Sequence, residues 1–245
     1  MAYNERHGKI LSILKQNGKA DVHDLAHELF VSEATIRRDL SEMQRLGLIE
    51  RSHGGAILPD NRDEVSIFVR MNKNSKEKEQ AATAALSNIP EFRSVFIDSS
   101  STALALAQRM DLEYKTVVTN NLETAIQLSK KKNINLIILG GSVQYNTVSA
   151  TGSFTARQLD EFSFDLMICS CAAVSGSEAL ERSLEQKEIK SAAMHRAKYR
   201  ILVFDSTKYY EQGIYKIGLL SDFQLVATDK EPAIEIDVGK ARLVY

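Results

Sequence analysis

The chain has only two cysteines in 245 residues, Cys169 and Cys171. Two are too few for a disulfide framework and fit a reducing compartment. No run of about 18 apolar residues occurs, so no transmembrane helix and no membrane partner are expected. The start, Met1 to Gly8, is polar and lacks the apolar stretch of a signal peptide. A cytoplasmic protein is the expectation. Neither charge sign dominates: 31 basic residues face 32 acidic ones, for a net charge of −1. That balance argues against non-specific wrapping of nucleic acid. Glycine signatures are also missing. Without GxGxxG, GxxxxGK[ST] or GxSxG, the dinucleotide, P-loop and nucleophile-elbow readings lack support, and no cofactor is expected. What is present is ordinary globular composition, 44% hydrophobic and 26% charged, in a length that suits one large domain or two.

The first 58 residues read as three short helices and a hairpin. Ile10, Leu11, Ile13 and Leu14 form an apolar face ended by Asn17-Gly18. Asp21 is placed to cap a second helix carrying Val22, Leu25, Ala26 and Leu29. After a turn at Phe30-Val31, Ser32 caps a third helix. Its inner face is Ile36, Leu40 and Met43, and Gly47 stops it. Leu48 to Arg51 and Ala56 to Leu58 read as strands joined by His53-Gly54-Gly55, where glycine supplies positive φ. This is a winged helix-turn-helix order. Residues 59–74 read as a linker. It is polar from Pro59 to Glu64, with an apolar patch (Val65, Ile67, Phe68, Val69) placed to dock on the second domain. Ser75 starts a helix running toward Asn88.

From about Ser94 short apolar runs alternate with helical stretches. The runs are Val95–Ile97, Thr116–Val118, Leu136–Leu139, Leu166–Cys169, Ile201–Phe204 and Leu225–Ala227. Such alternation predicts βαβ units and an open, mostly parallel sheet over 75–245, an α/β domain. Ligands of such sheets bind at the carboxyl ends of the strands. Those ends are polar here: Asp98-Ser99-Ser100-Ser101-Thr102, Thr119-Asn120-Asn121, Gly140-Gly141, and Asp205-Ser206-Thr207-Lys208. Hydroxyls and free N–H groups at a helix start suit a phosphate, and Lys208 supplies a point charge. Asp98 and Asp205 suit sugar hydroxyls. The same residues are also ordinary helix caps. His23 and His27 stand four apart, but Asp24 replaces the glutamate of a zinc-protease motif, so no metal site is expected. Cys169 and Cys171 read as buried strand residues.

Residues 1–58 hold eight basic and eight acidic residues, so DNA reading must rest on placement of a few charges. With Ile36 inward, Arg38, Ser41 and Arg45 point outward, and Thr35 and Arg37 flank the end that enters a major groove. Arg37-Arg38 is the only adjacent arginine pair, and arginine is the commonest reader of guanine. Ser32 and Thr35 suit phosphate, and Arg51, His53 and Gly54 of the hairpin reach the backbone or minor groove. Glu33, Asp39 and Glu42 are the carboxylates that would otherwise neutralise the arginines.

Ser32-Glu33-Ala34-Thr35-Ile36-Arg37-Arg38-Asp39-Leu40 and Arg51-Ser52-His53-Gly54-Gly55-Ala56 resemble the DNA-binding signature of the DeoR family of bacterial transcriptional regulators. Phe96-Ile97-Asp98 with Ser101-Thr102, Val118-Thr119-Asn120, Leu139-Gly140-Gly141, Ile189-Lys190 and Asp205 to Tyr209 resemble its C-terminal domain. The resemblance implies a repressor of a carbohydrate catabolic operon, acting as homodimer or homotetramer on double-stranded DNA. It implies a fold similar to ribose-5-phosphate isomerase without enzymatic activity, and a phosphorylated sugar as effector. Asp98, Ser101, Thr102, Thr119, Asn120, Lys190 and Lys208 would line that pocket. Two departures stand out. Ser100 replaces a usual glycine, and Ser170-Cys171-Ala172-Ala173-Val174-Ser175 replaces a Gly-x-x-Gly-Ile-Asp loop. Two rivals remain: a sugar-phosphate isomerase or deaminase fused to a DNA-binding head, and a regulator answering to a protein partner. Against the enzyme, no histidine lies between His53 and His195, and no strand-end glutamate is evident.

Overall fold

The computed structural model describes residues 5–45, 48–58 and 66–245. The helix stop at Gly47, the outward side chain of Arg45, the linker residues Pro59 to Glu64 and Val65 lie outside what it describes. The chain divides into two compact units, Met1–Asn72 and Lys73–Tyr245.

In the first unit α1 (Glu5–Asn17), α2 (Val22–Glu28) and α3 (Glu33–Arg45) surround a core of Ile10, Leu14, Leu25, Ile36, Leu40 and Met43, all fully buried. Gly18, at φ +74°, turns the chain out of α1. Strands β1 (Lys19–Asp21), β2 (Glu50–Ser52) and β3 (Gly55–Ile57) form an antiparallel sheet in the order β1-β3-β2. β1 carries one inward residue, Ala20, too little pattern to read from sequence. It changes two expectations. Asp21 ends β1, paired with Gly55, and its side chain makes no capping bond to α2. Only Gly54, at φ +79°, supplies the turn. Gly55 instead lets two backbones approach, since a Cβ there would lie 2.1 Å from the Ala20 carbonyl oxygen. A short helix α4 (Ile67–Asn72) closes the unit. Its Phe68 and Val69 pack on this unit's own core, so that part of the apolar patch belongs to the head.

The second unit opens with α5 (Ser75–Leu86), then alternates β4 (Ser94–Ile97), α6 (Ser101–Arg109), β5 (Thr116–Thr119), α7 (Leu122–Leu128) and β6 (Asn135–Ile138). A hairpin of β7 (Ser142–Gln144) and β8 (Ser149–Thr151) leads to α8 (Ser153–Gln158) and β9 (Phe164–Cys169). Then come β10 (Ala173–Ser175), β11 (Glu178–Glu181), α9 (Leu184–Arg196), β12 (Ala197–Val203), β13 (Tyr215–Leu219), β14 (Leu225–Ala227) and β15 (Arg242–Val244). Seven strands make one sheet in the order β15-β14-β12-β9-β4-β5-β6, with every pairing parallel. β10, β11 and β13 make a small antiparallel sheet beside it.

Strand residues alternate between two cores. Phe96, Val118, Met167, Leu202 and Val226 meet α9 and the small sheet. Val95, Ile97, Val117, Ile168, Ile201 and Val203 meet α5 and α6. Burial on both faces is why these strands read as unbroken apolar runs. Strand order grows one way through β5 and β6, and the other way through β9, β12 and β14. The reversal lies between β4 and β9, where open α/β sheets form their crevice. No helix among the described residues is long and apolar enough to cross a membrane.

Candidate DNA-reading face and strand-end crevice

In the first unit Ser32 caps α3. Its Oγ accepts from the Thr35 amide at 3.2 Å and meets Thr35 Oγ1 at 2.9 Å. Glu33 sits between the Arg37 guanidinium, Nη2 at 2.7 Å, and the His23 ring, Nδ1 at 3.3 Å. Arg37 is thus tethered one turn back by an exposed pair, which is worth little and easily exchanged for phosphate. Arg38 is exposed and has no ion pair among the described residues. Asp39 does not neutralise this face. It is buried and takes a two-pronged grip from Arg6, with His7 Nε2 at 3.6 Å. Its work is to join α1 to α3. His53 and Gly54 are exposed at the hairpin tip, and Arg51 beside them is half-buried.

In the second unit the strand ends converge on Lys190 of α9. Its ammonium donates to Asp98 Oδ2 at 2.9 Å, Glu181 Oε2 at 2.8 Å and the Ser170 carbonyl at 2.9 Å. All three residues are buried. Burial alone lowers the lysine pKa, but Asp98 and Glu181 outweigh it and raise it. Asp98 also accepts from the Ser170 amide at 3.1 Å, the Ser100 amide at 2.9 Å and the Ser100 hydroxyl. This bolt spans β4 and β9 at the reversal of strand order. Glu181 closes β11 and corrects the expectation that no strand-end glutamate exists. Its strand is short and lies in the small sheet, so its sequence carries no apolar run to mark it.

The other expected residues divide into those held by the fold and those left open. Ser100 caps α6 through the Ala103 amide at 3.2 Å. Ser99 Oγ donates to Gln186 Oε1 at 2.7 Å, and Gln186 Nε2 donates to Thr147 and Ser149 at 3.2 and 2.8 Å. Sequence reading missed Gln186, Thr147 and Ser149, which come from elements without strong periodicity. Thr119 Oγ1 accepts the Asn121 amide at 3.2 Å. Gly140 has its amide on Gln158 and its carbonyl on Thr155 and Gln158. A Cβ at Gly141 would lie 2.0 Å from Thr155 Oγ1, so this pair lets α8 approach the loop. Three features stay open. The hydroxyls of Ser101 and Thr102 take no hydrogen bond among the described residues and stand on the first turn of α6. Asn120 Nδ2 donates to the Ala150 carbonyl at 2.9 Å, while its buried Oδ1 has no partner among the described residues. Lys208 is half-buried without an ion pair among the described residues.

The departures at 100 and 170–175 fit the backbone without strain, because none of those residues has positive φ. Cys169 and Cys171 are free and buried. Burial pushes both thiols up, Cys171 to about 12.

Residues 6–62 match the family described as the DeoR-like helix-turn-helix domain, and residues 73–230 match the DeoR C terminal sensor domain. The transcriptional regulator GolR of Listeria innocua is 33% identical over 230 residues, 93% of this chain and 91% of that one. The glycerol-3-phosphate regulon repressor of Escherichia coli is 30% identical over 239 residues, 96% of this chain and 94% of that one. Among solved structures, ribose 5-phosphate isomerase A from Methanocaldococcus jannaschii aligns with 56% of this chain and 55% of its own, at TM-score 0.40 and 13% identity. That likeness is too distant to argue from.

Proposed function

Because this chain belongs to the DeoR family of transcriptional regulators, we propose that it represses a carbohydrate catabolic operon and leaves DNA when a phosphorylated sugar or related metabolite fills the strand-end crevice. One observation carries the effector half: Lys208, a half-buried cation without an ion pair among the described residues, stands past the carboxyl end of β12. A part-buried lysine without a carboxylate partner among the described residues suits an anionic ligand. The open first turn of α6 offers that anion N–H groups and the Ser101 and Thr102 hydroxyls. The related glycerol-3-phosphate regulon repressor supports a repressing role tied to phosphorylated-metabolite genes.

On the DNA side α3 enters the major groove, with Arg38 and Arg37 toward bases, Ser32 and Thr35 toward phosphate, and the wing at Arg51, His53 and Gly54 beside it. Two heads of a homodimer or tetramer meet half-sites about one helical turn, ~34–36 Å, apart. The ligand releases DNA by favouring an arrangement of protomers that cannot span them. The cytoplasm is where such a protein meets its operator. Catalysis has less support, because Lys190 uses all its donors on protein acceptors and remains an ammonium, which offers no base.

The test begins with a duplex selected by the full chain from a random pool. Arg38→Ala is expected to weaken its binding by ~1–3 kcal/mol and relax preference at one base. Sugar phosphates are expected to lower DNA affinity, and Lys208→Ala to abolish that response with DNA affinity intact. A DNA-binding curve unmoved by every metabolite rules the sensing role out and favours a protein partner.

A further inference from the structure

The Lys190 bolt is charged, and its charges do not cancel. Asp98 and Glu181 share a single cation, Lys190, whose third donor goes to the Ser170 carbonyl. No proton of that lysine is left for a ligand. Two more carboxylates follow β12 and β14. Asp205 accepts from Asn74 and Thr207, and Asp229, which lines a separate pocket with Lys76 and Arg109, accepts from the amide and hydroxyl of Ser206. At the Lys190 bolt itself, two carboxylates share one ammonium.

Asn120 adds an independent sign. Its Nδ2 is fixed on the Ala150 carbonyl, which fixes its Oδ1 as the acceptor left buried without a partner among the described residues. Asn120 follows Thr119, the residue paired with Ile97, so it stands beside Asp98 at the strand ends. A buried acceptor is satisfied by a ligand O–H or N–H and not by a carboxylate or phosphate oxygen.

We propose that the crevice admits one anionic group and refuses a second: its ligand is a monophosphate whose remainder is a polyol or amino-polyol, and phosphorylated acids and bisphosphates are excluded. This rests on the sensing role proposed above and narrows it. Lys208 and the first turn of α6 serve a single phosphate. A second anion near the Lys190 bolt meets two carboxylates in a low-dielectric setting and cannot recruit the lysine, whose donors are already used. Hydroxyls and ammonium groups face no such barrier, and can donate to Asn120 and to the carboxylates.

Matched probes test this on the full chain, by calorimetric titration and thermal unfolding. The pairs are glycerol 3-phosphate with 3-phosphoglycerate, glucose 6-phosphate with 6-phosphogluconate, and fructose 6-phosphate with fructose 1,6-bisphosphate. Glucosamine 6-phosphate adds a cationic member. In whichever pair the first compound binds, the second is expected to bind on the order of tenfold more weakly or worse. Glu181→Gln, which removes one charge and keeps an acceptor for Lys190, is expected to narrow that ratio. If the doubly charged partner binds as well as its neutral-tailed mate, the charge selection is overturned while sensing stands. If no phosphorylated probe binds, the sensing role fails and takes this inference with it. The wild-type pairs decide the question even if Glu181→Gln does not fold.

Discussion

Asn74 Nδ2 lies 3.2 Å from Asp205 Oδ1, joining the residue that precedes α5 to the loop that carries Lys208. The same amide donates to Thr207 Oγ1 at 3.2 Å. Asn74 holds φ +55° and ψ +40°, a left-handed backbone that asparagine tolerates better than most residues. Asn74→Gly keeps that backbone and loses the side-chain bonds. Asn74→Ala loses the bonds and keeps the steric cost of a Cβ in the left-handed region, without the local hydrogen bonds by which asparagine offsets it. The expected order of stability in urea is wild type, then Gly, then Ala, with ~1 kcal/mol between the two variants. Alanine equal to glycine would mean the left-handed conformation is not maintained.

Lys190 binds two carboxylates that would otherwise face each other inside the protein. Removing one partner of a buried ion pair typically costs ~3–5 kcal/mol, because the remaining charge stays desolvated. Lys190→Met is expected to fall in that range by equilibrium unfolding. Adding Glu181→Gln to it should recover part of the loss, since one of the two stranded charges is gone. Losses that simply add would show that the three groups do not act as one unit.

How far the sequence was legible depends on what each element buries. Strands such as Val95–Ile97 and Ile201–Val203 are covered on both faces, so their apolar runs announce them. The helices of the head were legible from Ile36, Leu40 and Met43 at helical spacing. β1, β7, β8, β10 and β11 are three or four residues long, below the length at which alternation becomes a pattern. That same shortness hid Glu181. Gln186 was hidden differently: it lies on a helix whose surface mixes charged and apolar residues, and its partners Thr147 and Ser149 stand 39 and 37 positions away. The strand-end polar residues were visible as a set. Which were caps and which stayed open depends on hydrogen bonds that no spacing encodes.

Asp165 predicts an acid limb of stability. Lys198 is the largest cause that lowers its pKa, with the Arg93 and Ser94 amides adding to it, from 3.8 to about 2. A carboxylate lowered in the folded state stabilises fully above its unfolded pKa and loses that contribution as pH falls through the folded one. The window therefore runs from about 3.8 down to about 2. Lys198 is exposed, so solvent screening keeps the contribution modest. Asp165→Asn is expected to be less stable than wild type at neutral pH, with the two unfolding curves converging toward pH 2. Parallel curves across that window would show that Asp165 titrates as an unpaired carboxylate.

Phe30 is held in a conformation that bulky residues rarely adopt, φ +54°, with 93% of its surface exposed. Its neighbours explain why. Leu29 and Val31 both pack on the head's core, and the Val31 amide closes on the Ala26 carbonyl at 3.0 Å. The residue between them must turn outward to join α2 to α3. A left-handed residue with a Cβ costs ~1–2 kcal/mol, and asparagine meets that cost in part through local hydrogen bonds. Because the ring is almost wholly in solvent, replacing it sacrifices little burial. Phe30→Asn is therefore expected to stabilise the head by ~0.5–1 kcal/mol, read as slower amide hydrogen exchange across α2 and α3. Phe30→Val, β-branched and stiffer, should move exchange the other way. Faster exchange in the asparagine variant would mean that the exposed ring makes a contact in the assembled protein that outweighs the backbone strain.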